Sequence, residues 1–224
     1  MNKYEQLSRK ALGIAFIAGP LLLTIGALTF LLGIGISPDG ITSWVEGIFM
    51  GFGFVILIPV YLELARLLGQ RAPKLAIFCA IGAPGLVFFG VVPAIFRIAQ
   101  AAFLDAGMEL SAWHLSAKTL FSHPGWMPIT IWSLVSFLSL ILVGIGLFSY
   151  GGLSRWTAVL LILAPIILFI GQGSDETIAL WRVKIIYPLA TLIWLVALAP
   201  IGWRYLTGSK EELAAKVNLD PTIS

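Results

Sequence analysis

Few side chains in this 224-residue chain can do acid–base or binding chemistry, and most that can are set at one level. Glu46 and Arg97 each lie a few residues inside an apolar stretch, where an unpaired charge is costly. The economical arrangement turns both toward the interior of a helical bundle, as a pair. That pair is either structural or the mouth of a ligand cavity. Asp175, Glu176, Arg182 and Lys184 flank the last two apolar stretches at the same level. Carboxylates at an apolar boundary suit proton transfer, so Glu46, Asp175 and Glu176 are the catalytic candidates. The ligand-binding candidates are Glu46, Arg97, Gln100, Ser133, Ser136, Gln172 and Arg182. Ser133, Ser136 and Ser139 recur every third residue and share one side of a helix; Thr191 is a further polar candidate. Serines of this kind also serve helix packing.

Other chemistries are poorly supported. The chain has no G-x-S-x-G, H-E-x-x-H, C-x-x-C or P-loop motif. Asp105, Glu109, His114 and His123 together would make a two-histidine, two-carboxylate metal site. The simpler expectation puts His114 on a polar helix face and His123-Pro124-Gly125 in a turn, so neither a metal nor a cofactor is expected. Cys79 reads as a small buried hydrophobe. The centres of the apolar stretches hold no acid or base, which argues against proton pumps, cation exchangers, voltage sensors and retinal proteins.

The elements that must position these groups follow from composition. Hydrophobic residues make up 59% of the chain and charged residues 11%, against roughly 25% charged in a soluble domain. Charge-free stretches cover 11–38, 47–62, 75–96, 119–154, 156–174 and 185–203. A spanning helix needs about 20 apolar residues. The expectation is an all-α polytopic membrane protein with six transmembrane helices in one domain, 1–206. The helices are expected over 11–36, 42–65, 75–98, 127–149, 156–172 and 183–205. A cytoplasmic tail, 207–224, follows; Ser209-Lys210-Glu211-Glu212 within it fits a capping box. With the N-terminus inside, ten Lys and Arg residues fall on the inner side and four on the outer. This bias predicts that both termini are cytoplasmic. The outer segment 99–125 contains apolar Leu110, Trp113, Ala117, Leu120 and Phe121 between polar residues, the spacing of a short amphipathic interfacial helix.

Lys10, Lys74 and Arg155 each stand ten residues before a proline: Pro20, Pro84 and Pro165. The match predicts a mid-bilayer kink in each outward-going helix and suggests an internally repeated bundle. Gly47, Gly51 and Gly53, then Gly82, Gly85 and Gly90, predict close helix contacts, within the chain or in a homo-oligomer.

Three segments carry a resemblance: 14–23 (IAFIAGPLLL), 123–126 (HPGW) and 153–165 (LSRWTAVLLILAP). They resemble a broad group of uncharacterised bacterial multi-pass membrane proteins, known as domains of unknown function. The resemblance covers about a third of the chain, in low-complexity apolar text. It implies an inner-membrane location and about six helices. It implies no activity and assigns no residue a role.

Three functions fit the residues. One is binding or transport of a small apolar or amphiphilic molecule through an outward-facing cavity. A second is a membrane-embedded enzyme using carboxylate acid–base chemistry on a lipid or isoprenoid. The third is a ligand-free accessory subunit of a membrane complex. The expected surroundings are the lipid bilayer; no nucleic-acid partner is expected, because the basic residues are dispersed.

Overall fold

The structure, a computed structural model, describes residues 3–38, 40, 42–171 and 180–208, with the side chains of 180–183 outside that description. The capping-box segment also lies outside the described residues.

The first helix, α1 (Lys3–Leu31), takes in the basic segment and stops five residues short of the expected end. Gly33 and Gly35 have φ of 74° and 64°, a left-handed backbone that ends a helix. The apolar text of 32–36 hid this. A tight loop follows. Ile36 and Ser43 form an isolated antiparallel bridge, and the Ser37 N–H donates to the Thr42 carbonyl over 2.8 Å. Ser43 then caps α2 (Trp44–Gly69), its hydroxyl accepting from the Glu46 N–H at 3.1 Å.

Residues 73–105 form one apolar helical span with a break in its middle. It begins as α3 (Pro73–Gly82), tightens to a 3-10 turn at Ala83–Gly85, widens to a π segment at Val87–Val91 and resumes as α4 (Val92–Asp105). Pro84 lacks the N–H that an α-helix needs there, and such departures mark strain or function. Pro20 and Pro165, by contrast, lie inside unbroken α-helices. The three prolines therefore do not act alike. The expected end near residue 98 is also corrected: the helix runs on to Asp105, with half-buried Arg97 inside it.

The expected amphipathic helix is present as α5 (Leu110–Ser122). Trp113 anchors it against Phe96 and Phe103 of α4. After a 3-10 turn come α6 (Met127–Tyr150), α7 (Arg155–Gly171) and α8 (Leu180–Thr207). Among the described residues five spans are long and apolar enough to cross a membrane: Lys3–Leu31, Trp44–Gly69, Pro73–Asp105, Pro124–Tyr150 and Lys184–Thr207. The remaining apolar helix, α7, has 17 residues.

Small residues set the order of these helices. A Cβ on Gly53 would lie 3.1 Å from the Gly19 carbonyl, where α1 crosses α2. Gly47 faces Ala94 and Arg97 of α4; Gly82 and Gly85 face Ser139 and Ser136 of α6. Gly144 packs α6 on α7, Gly171 packs α7 on α8, and Gly202 packs α8 on α1. Neighbours run antiparallel, and the succession closes into a ring. The predicted glycine contacts thus lie within the chain.

Closure depends on the last crossing. A Cβ on Gly202 would sit 2.6 Å from the Gly13 carbonyl, too close for either backbone to stay. Gly202→Leu should lower stability by about 1–3 kcal/mol, read as a lower Tm in detergent. An unchanged Tm would mean that α1 and α8 do not meet as described.

Candidate functional site

At the end of the bundle where α2 and α8 begin, a polar layer is buried among apolar helices. Glu46 is in the first turn of α2 and 2% exposed. Its Oε2 lies 3.2 Å from Arg97 Nε of α4. Gly47 makes this approach possible: a Cβ there would stand 2.8 Å from the Ala94 carbonyl and 3.1 Å from Arg97 Cβ. Arg97 Nη1 donates back to the Pro93 carbonyl at 3.2 Å. The Nε–H makes no aligned hydrogen bond, so the contact with Glu46 is Coulombic.

Tyr187 of α8 completes the layer. Its side chain is 1% exposed, and its hydroxyl faces the Glu46 carboxylate without an aligned hydrogen bond. The hydroxyl lies within electrostatic reach of both Glu46 and Arg97. Three helices thus contribute an acid, a guanidinium and a phenol, and two of these groups hold a donor that makes no aligned hydrogen bond.

Gln100 sits one turn beyond Arg97 and is buried. Its Oε1 accepts from Thr42 Oγ1 at 2.8 Å, and Thr42 Oγ1 is also 2.8 Å from Ser37 Oγ. The loop between α1 and α2 is therefore tied to α4 directly above the Glu46–Arg97 pair. Gln100 holds the loop in place, one turn from the pair and Tyr187.

The serines are elsewhere. Ser136 and Ser139 pack on Gly85 and Gly82, at the broken turn of the 73–105 span. That position is about 18 Å along the helix from Arg97. Ser139 donates to the Ser136 carbonyl at 2.7 Å. Ser136 Oγ is buried with no partner. Ser133 is half-buried one turn away, and Thr191 donates to its own helix at the Pro188 carbonyl. Gln172, Asp175 and Glu176 lie outside the described residues, as does the Arg182 side chain. Of the three catalytic candidates, only Glu46 is placed.

The histidines and loop acids do not converge. Among the described residues no group of three or more His, Cys, Asp or Glu side chains could hold a metal ion. His123 Nδ1 accepts from the Gly125 N–H at 3.0 Å and serves the turn into α6.

Two polar groupings escaped the sequence. Tyr187 lies in apolar text, with nothing in its spacing to mark it. At the opposite end, Glu63 is buried and held by Arg66 through two bonds, Nε to Oε2 at 2.7 Å and Nη2 to Oε1 at 2.6 Å. The Tyr205 hydroxyl donates to the same carboxylate. This cluster ties α2 to α8 and leaves no buried side-chain polar atom of its members unsatisfied. It is a latch between helices, while the Glu46 layer holds two donors without an aligned hydrogen bond.

No family model, curated protein or solved structure matches the chain.

Proposed function

We propose that this chain is a bacterial inner-membrane protein of six spanning helices with both ends cytoplasmic, binding or carrying a small apolar or amphiphilic molecule through its outer half. The antiparallel ring supports six spans. Helix α7, at 17 residues, covers about 26 Å, close to the roughly 30 Å of hydrocarbon. Arg9, Lys10, Arg66, Arg71, Lys74, Arg155 and Arg204 all fall at the end opposite Glu46. A cytoplasmic location for that end satisfies the positive-inside bias. The uncharacterised multi-pass proteins resembled by the sequence fit the same setting.

The observation that carries the binding role is the unspent hydrogen-bonding capacity beside Glu46. Arg97 Nε and the Tyr187 hydroxyl are buried beside the Glu46 carboxylate without an aligned hydrogen bond, and polar groups left so are costly. A bound polar head would satisfy both. Among the described residues no second carboxylate joins Glu46 in the layer, and the binding role needs none.

The test compares small molecules that co-purify with the wild type and with Tyr187→Phe, by mass spectrometry of the extracted protein. A lipid-soluble compound enriched with the wild type and depleted at least several-fold in the variant is expected. Identical extracts would remove the binding role. Cysteines placed at Tyr4 and Gly107 should react with an impermeant thiol reagent from opposite faces of inverted vesicles. Labelling from one face would overturn the topology.

A further inference from the structure

Below the polar layer lies a continuous row of aromatic rings. Phe169 of α7 stacks on Phe137 of α6, with centroids 4.7 Å apart. Phe137 stacks on Phe89 of the π segment at 5.8 Å. Phe89 meets Phe54 of α2 edge-on at 5.8 Å, and Phe54 meets Trp194 of α8 edge-on at 5.9 Å. The row ends where Trp194 Nε1 donates to the Tyr61 hydroxyl at 2.8 Å. Phe169 is 52% exposed, while Phe54 and Trp194 are fully buried. The row therefore leads from the surface of the bundle to its centre.

It is in register with the polar layer. Phe54 follows Glu46 by eight residues, Phe89 precedes Arg97 by eight, and Trp194 follows Tyr187 by seven. Each offset is about 10–12 Å along a helix. The seam between α6 and α7 is unequal along its length. Toward the basic end it is closed by backbone, a Cβ on Gly144 lying 3.1 Å from Ile162 N. Toward the polar layer it is filled by the side chains of Phe137 and Phe169, which can turn aside where backbone cannot.

The polar layer limits the head group. Glu46 and Arg97 together carry no net charge, and the groups in the layer that lack an aligned hydrogen bond, Arg97 Nε–H and Tyr187 O–H, are donors. An anionic head would meet a buried carboxylate. A neutral acceptor, such as a carbonyl oxygen, would satisfy both donors without that cost.

Resting on the binding role proposed above, we infer that the site takes a neutral, flat, conjugated carbonyl compound with an apolar tail, of the quinone class, entering sideways between α6 and α7 along the aromatic row. A conjugated ring stacks on phenylalanine faces, and a saturated flexible chain gains only apolar contact there. The row therefore supplies selection and the polar layer supplies orientation.

The test uses two probes, decylubiquinone and monoolein. Both carry neutral carbonyl oxygens, and only the first is flat and conjugated. Binding to the purified full chain in detergent is followed by titration calorimetry, after subtraction of partitioning into empty micelles. The expected result is a Kd about tenfold lower for decylubiquinone. Phe89→Leu and, separately, the half-buried Phe137→Leu should bring the two probes to near parity. Phe137→Leu keeps the test available if the more buried variant fails to fold. Equal affinity of the two probes for the wild type would overturn the inference and leave the binding role intact. So would a preference that neither phenylalanine variant alters. Saturable binding of neither probe would overturn both.

Discussion

Arg97→Met should lower the unfolding free energy by about 3–5 kcal/mol, because it leaves Glu46 buried without its counter-charge. Glu46 is 2% exposed, and its one ion-pair partner among the described residues is Arg97. Glu46→Gln alone should cost less, since a neutral amide is cheaper to bury than a lone carboxylate. The double variant Glu46→Gln/Arg97→Met should recover most of the loss seen in Arg97→Met. The measurement is a double-mutant cycle on unfolding in detergent, with the coupling read as the departure from additivity. Additive losses would show that the two side chains do not share an environment. The binding readout separates fold from function. The double variant should be stable and still fail to bind, because the donor at Arg97 is gone. Recovery of both stability and binding would assign the pair a purely structural role.

The Glu46–Arg97 pairing was legible in the sequence for the same reason that it is stabilising. Two opposite charges inside otherwise charge-free text must find each other or reach water. Tyr187 was not legible, since a tyrosine amid leucines and isoleucines reads as apolar until its hydroxyl is placed. The spacing of Ser133, Ser136 and Ser139 gave their shared side of α6 but not their depth. Depth came from the crossing with the broken 73–105 span, where Gly82 and Gly85 admit them. The end of α1 was misplaced because hydropathy is blind to backbone handedness: Gly33 and Gly35 look like two more apolar positions in 32–36. The amphipathic α5 was found correctly, since a two-faced pattern of thirteen residues needs no tertiary information. The break at Pro84 and the unbroken helices at Pro20 and Pro165 share one motif and differ in outcome. The shared spacing therefore gives the position of each proline and not whether the helix breaks there.

The π segment of the 73–105 span sets up the second large effect, at Gly90. Gly90 lies on it with its missing side chain directed at the Phe54 ring, so closely that a Cβ would occupy the ring's own position. Phe54 has nowhere to retreat. It is fully buried and held edge-on by Phe89 on one side and Trp194 on the other. Gly90→Ala should therefore destabilise by about 1–3 kcal/mol, although alanine is normally the better helix former by about 1 kcal/mol. The reversed sign of that propensity effect is the diagnostic. Phe54→Leu alone should also destabilise, by loss of ring contacts and a partly empty space. Combined, the two changes should cost less than their sum, because the smaller leucine clears room for the new methyl group. Unfolding monitored by tryptophan emission gives a local view of the same event, since Trp194 is the ring next to Phe54. A Gly90→Ala variant as stable as the wild type would place Phe54 elsewhere and break the aromatic row at its centre. A destabilised variant rescued by Phe54→Leu would fix the contact. It would also make Gly90 the position at which the helical break and the aromatic row depend on each other.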